Sequence, residues 1–157
     1  MFNHALAKGT LFLAVACLAT RFAGLRLSNL AGAASTMPWT MAAFCLAGLS
    51  LIGVPGTAGF ISKWYLITAV LNEGSTGIVL ALIIIVSSLI AVVYVWRVVE
   101  AAYFHSPSVL NEAGEAPFIL LAATWIAALM NLYFGLNPSV PVELAASAGD
   151  LLMGHLQ

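Results

Sequence analysis

Gly48-Leu49-Ser50-Leu51-Ile52-Gly53-Val54-Pro55-Gly56-Thr57-Ala58-Gly59-Phe60-Ile61-Ser62-Lys63-Trp64 carries a single charge, Lys63, with apolar sequence on both sides. A charge near the centre of a bilayer costs about 2.5–3.5 kcal/mol on insertion scales, so it turns toward a protein interior or a water-filled cavity. Pro55 has no N–H to give, and glycines such as Gly56 and Gly59 tolerate dihedrals that other residues avoid. Together they predict a helix interrupted beside the lysine. Interrupted helices inside membranes expose backbone groups and water, and they mark ion sites. The competing reading makes Pro55-Gly56 an ordinary interhelical turn and lets Lys63 snorkel to the interface. The pattern alone leaves the two in balance.

The rest of the chain sets the environment of that stretch. Residues 27–62, 74–96 and 116–142 hold no Asp, Glu, Lys or Arg, runs of 36, 23 and 27 residues. A spanning helix needs about 20 mostly apolar residues. The composition agrees, at 62% hydrophobic and 7% charged with a mean hydropathy of +1.06. Five basic and six acidic side chains cannot cover a water-soluble domain, and they offer no basic surface for phosphates. A soluble enzyme, a disordered chain and a nucleic-acid binder are therefore excluded, and a multi-pass membrane protein is expected.

Five apolar segments follow: about His4 to Ala23, Pro38 to Val54, Thr57 to Leu71, Gly77 to Tyr103, and Pro117 to Leu136. Backbone groups in lipid must be satisfied within a segment, and continuous rather than alternating apolar runs favour helices over a barrel. The expected organisation is a helical bundle over residues 1–137 and a tail over 138–157. Its stretch Val142 to Leu156 is expected to lie along the membrane surface. Arg21 and Arg26 argue for a cytoplasmic first loop, and Arg97 argues the same for the loop after the fourth segment. Three intervening segments would put those loops on opposite sides.

Several other residues invite chemistry. His4 and Lys8, four apart, share one helix face. Stacked imidazole and amine groups pass protons through water, and burial disfavours the ammonium form. A solvated chain end is the simpler reading for both. Arg97 and Glu100, with Tyr94 on the same face, are expected to form a structural ion pair near the membrane edge. Thr124 and Asn131 make one face of the fifth segment mildly polar, which interhelical hydrogen bonding explains better than transport does. Cys17 and Cys45 read as small buried hydrophobes. Ala14-Val15-Ala16-Cys17 loosely resembles a lipoprotein cleavage box, but no cleaved signal is expected. His4, His105 and His155 are far apart, and no metal cluster, phosphate loop or nucleophile–base constellation is visible. No cofactor is expected.

Two blocks of sequence, in order, resemble a known family. His4-Ala5-Leu6-Ala7-Lys8-Gly9-Thr10-Leu11-Phe12-Leu13 is similar to the H-A-x-x-K-x-x-L-F-L helix of antiporter-like proton-translocating subunits. These include the pump subunits of respiratory complex I and the A and D subunits of Mrp-type sodium/proton antiporters. Met37-Pro38-Trp39-Thr40 and Gly48 through Trp64 resemble the family's next block. Ser62-Lys63-Trp64-Tyr65 and Glu115-Ala116-Pro117 look most like the second of those two Mrp subunits. The resemblance implies a fold of about fourteen helices with two inverted repeats, of which these segments would be the tenth to fourteenth. It implies that Lys8 lies on a central polar axis, that Lys63 stands at a helix break in an exit half-channel, and that His4 supports a hydrated path. It also implies other membrane subunits as partners, a separate first half of the antiporter-like fold, protons as cargo with Na+ open as coupled ion, and the bacterial inner membrane as location. The chain would be a C-terminal fragment or split product. A non-conducting structural subunit or truncated remnant is the alternative. Redox chemistry, as in an NADH:quinone oxidoreductase, would have to come from the partner complex.

Overall fold

The computed structural model describes residues 2–22, 24–106, 114–139, 142–143, 147–149 and 151. Every regular element among them is helical: α1 (Phe2–Ala19), α2 (Ala33–Thr36), α3 (Pro38–Ile52), α4 (Ala58–Leu71), α5 (Ser75–Phe104) and α6 (Phe118–Leu136). The five apolar segments correspond to α1, α3, α4, α5 and α6. The surface helix expected at Val142 to Leu156 falls largely outside the described residues, as does His155.

Three helices, α1, α5 and α6, are long and apolar enough to cross a membrane alone. At 15 and 14 residues, α3 and α4 are each about 22 Å long, short of a hydrocarbon core of about 30 Å. They run end to end along α5. Gly77 abuts Val70, Lys63 reaches Ser88, Gly48 abuts Val95, and the Gly32 N–H donates to Ala101 O. These contacts descend α5 while they ascend α4, α3 and the loop before them. The pair thus makes one interrupted traverse, antiparallel to the 30-residue α5.

That geometry overturns the expectation that Arg26 and Arg97 lie on opposite sides. The loop before α3, the end of α5 and the start of α6 meet at one end of the bundle. Arg21 donates through Nε (3.1 Å) and Nη2 (2.9 Å) to Glu115 O, and the Glu115 carboxylate accepts from Trp39 N and, at 2.7 Å, from Thr40 Oγ1. Glu115 so caps the orphan N–H groups at the start of α3, where Pro38 holds the first helical position. The five expected helices are present, and the Pro55-Gly56 break lets the two short ones, α3 and α4, share one crossing.

The bundle core is built from small residues, as close helix approach in lipid requires. Asn3, Ala7, Thr10, Ala14 and Cys17 form the buried stripe of α1 and pack toward α3 and α6. Leu18, Phe22, Leu30, Met37, Met41 and Phe44 close the arginine-bearing end. Most Ile, Val and Leu side chains of α5 point outward, Val93 and Leu89 being 62% and 60% exposed, while Val95 is buried against Gly48. That is the surface a bilayer or neighbouring helices would cover.

Candidate functional site

The break between α3 and α4 is specified residue by residue. Gly53 closes α3 with φ +91°, its N–H donating to Leu49 O. In a continuing helix the Leu51 carbonyl would accept from the N–H of residue 55. That residue is Pro55, which has none. The Leu51 carbonyl therefore projects unpaired from the end of α3, and the Ile52 carbonyl does so because Gly53 ends the helix, both at the negative end of its dipole. Thr57 closes the break, its hydroxyl donating to Val54 O at 2.7 Å, and α4 begins at Ala58.

Lys63 fills the gap this leaves. Its Nζ donates to Leu51 O at 2.8 Å, Ile52 O at 2.7 Å and Ser88 Oγ at 2.7 Å. Ser88 is oriented for this by giving its own proton to Ile84 O. All three ammonium protons are used, and every acceptor is neutral. A hydrogen bond to a charged group contributes about 1.5–3 kcal/mol, so three of them offset the insertion cost of the charge without a counter-ion. Among the described residues no Lys or Arg nitrogen lies within 4.0 Å of a carboxylate. The Arg97–Glu100 ion pair expected from the sequence is thus not formed. Both side chains line a recess with Ser28 and His105, and their exposure to solvent removes the incentive to pair.

Lys63 also lines a cavity of about 650 Å³ with Asn3, His4, Ser62, Tyr65 and Ser87. Asn3 is 5% exposed, and its Nδ2 donates to Ala58 O at 3.1 Å and Ser62 Oγ at 2.9 Å. Those partners fix the amide orientation, because Ala58 O can only accept. Asn3 Oδ1 is left as the one buried side-chain N or O atom without a partner among the described residues. An orphan acceptor beside a cavity signals water.

The structure thus brings Lys63, His4, Pro55, Gly56 and Gly59 to one region. Lys8 is not with them. It lies on the outward stripe of α1 with His4 and Phe12, exposed in this chain. Beside the break, Gly59 meets α3 so closely that an added Cβ would overlap Ser50 O, and at Gly135 one would strike the backbone of Gly56 and Thr57. Asn131 and Thr124 reach across to α1: Asn131 Nδ2 donates to Thr10 Oγ1 at 3.0 Å, and Thr124 Oγ1 lies 3.4 Å from Cys17 Sγ. Cys17 is buried and Cys45 partly so, both as free thiols. Sequence reasoning missed Asn3, Thr10, Ser50 and Ser88, because single hydroxyls and amides in apolar helices carry no pattern until their partners are known, and it singled out Glu115 only for its resemblance, not as the cap of α3. The one available signal was spacing: Asn3 and Thr10, seven apart, share a face of α1.

A multi-pass helical bundle with an interrupted helix and a lysine on its freed carbonyls is an arrangement found at intramembrane ion sites. The chain belongs to the NADH:quinone oxidoreductase/Mrp antiporter transmembrane family, whose model matches residues 1–91. It is 44% identical over 115 residues to NADH-quinone oxidoreductase subunit N of Desulforudis audaxviator, covering 73% of this chain and 23% of the relative. It is 32% identical over 161 residues to F(420)H(2) dehydrogenase subunit N of Methanosarcina mazei, covering 96% and 32%. The solved Mrp complex of a Dietzia species shares the fold at TM-score 0.82 and 23% identity, over 94% of this chain and 35% of that one. An archaeal membrane-bound sulfane sulfur reductase gives TM-score 0.76 and 36% identity, over 85% and 22%. The chain spans about a quarter to a third of the length of these proteins.

Proposed function

We propose that this chain is part of a proton-translocating subunit of a multisubunit membrane complex, and that Lys63 relays the proton. The observation that carries the reading is the Lys63 ammonium held by three neutral oxygens at a helix break, on the wall of a cavity it shares with His4. Neutral acceptors let the amine release a proton without leaving a buried carboxylate unpaired. Water anchored at Asn3 Oδ1 supplies the path toward His4. Lys8, outward on α1, is a second relay for which other membrane helices of the complex provide the wet side, since lipid would penalise its charge. Those helices include the remainder of the antiporter-like fold. Protons are the cargo, and Na+ the coupled ion if the complex is of the Mrp type. The membrane is a bacterial inner membrane.

Hydration of the cavity tests the reading. Ser87→Cys, on the cavity wall, should react with a small water-borne thiol reagent, whereas Val86→Cys, turned outward and 51% exposed to the bilayer or to neighbouring helices, should not. Equal inertness of both would mean a dry site and leave only a structural subunit.

A further inference from the structure

A row of buried hydrogen bonds crosses the bundle at the level of the break. Ser50, Asn131 and Thr10 are 0%, 1% and 0% exposed. The Gly59 N–H donates to Ser50 Oγ at 3.2 Å; Ser50 Oγ donates to Asn131 Oδ1 at 2.9 Å. Asn131 Nδ2 donates to Thr10 Oγ1 and to Ala127 O, each at 3.0 Å, and Thr10 Oγ1 donates to Leu6 O at 2.8 Å. The sense of every bond is forced. Ala127 O can only accept, so it fixes the Asn131 amide with Nδ2 toward Thr10 and Oδ1 toward Ser50, and Ser50 must donate to that oxygen. Leu6 O likewise takes the Thr10 proton, so Thr10 accepts from Asn131.

The row begins on a backbone N–H and ends on a backbone carbonyl. Neither end can take up or release a proton near neutral pH, so this is no proton wire. Its position shows what it does. Ser50 precedes Leu51 and Ile52, whose carbonyls hold the Lys63 ammonium, and Gly59 lies four residues before Lys63 on α4. One hydroxyl therefore fixes both the acceptors of the lysine and the helix that carries it. Asn131 and Thr10 tie that hydroxyl to α6 and to the turn of α1 that follows His4 and Lys8.

The geometry points to Ser50, Asn131 and Thr10 as positioning residues that hold the α3–α4 break in register, so that Leu51 O and Ile52 O stay within reach of Lys63. This rests on the proton-relay reading of Lys63 and extends it to residues that touch neither proton nor cavity. The titratable groups that share the cavity wall with Lys63 are His4 and Tyr65. All three stay in place in the variants below.

The test is proton exchange in vesicles from cells carrying the chain in its own complex, measured against pH. Ser50→Ala and Thr10→Val, the second near-isosteric, should each displace the midpoint of the pH profile by about half a unit or more and slow exchange about three- to tenfold. Thr10→Ser, which keeps the hydroxyl, should restore both. Amount of assembled chain, read by immunoblot, separates folding loss from misplacement. Profiles of Ser50→Ala and Thr10→Val that superimpose on the wild type, while Lys63→Ala abolishes exchange, would overturn the clamp and leave the relay standing. Retained exchange in Lys63→Ala would instead remove the relay beneath it.

Discussion

At the scale of single residues, the site depends on what Pro55 lacks. A residue with an N–H at position 55 could satisfy Leu51 O through the helix ladder, and Lys63 would then compete with the backbone for it. Pro55→Ala is expected to slow exchange about three- to tenfold, corresponding to one weakened charge-assisted hydrogen bond, without loss of assembled protein. Exchange assays in vesicles alongside immunoblots would show it; an unaltered rate would mean that Leu51 O contributes nothing. Lys63 itself is legible in the sequence because a charge in an apolar run stands out. Ser88 is not, because a serine in a 30-residue apolar helix has no visible partner until the fold brings it to 2.7 Å from the amine.

At the scale of elements, the helix limits follow from local chemistry. Pro38 opens α3, Gly53 ends it in the left-handed region, and Thr57 sits extended before α4. The five apolar segments are therefore visible from the sequence to within a few residues. How they cross is not. Hydropathy counts segments, whereas the joining of α3 to α4 is decided by packing. Gly59 lies against Ser50 O and Gly135 against the turn, and a side chain at either place would force the two half-helices apart. A pattern of apolar residues cannot distinguish a hairpin from a broken rod. The Arg97–Glu100 expectation failed for a similar reason. Spacing of three places two charges on one face, but it does not say that solvent is a poorer partner than the opposite charge.

At the scale of the whole molecule, the single crossing made by α3 and α4 collects Arg21, Arg26 and Arg97 at one end. With all three on a common side, the positive-inside rule expects this end in the cytoplasm. Ser28→Cys should accordingly be labelled by an impermeant thiol reagent in everted vesicles and Ser75→Cys only in right-side-out ones. The reverse pattern would invert the orientation. The family resemblance read from the His4–Leu13 and Gly48–Trp64 blocks is matched by the family assignment, whose residues 1–91 contain both. Lys8, exposed on α1, puts a charge on the outer face of the bundle, where lipid alone would penalise it. The most direct measurement of the account is ΔpH-driven proton exchange by the assembled complex in vesicles, wild type against Lys63→Ala. Loss of exchange with normal assembly is the predicted result, and undiminished exchange would contradict it.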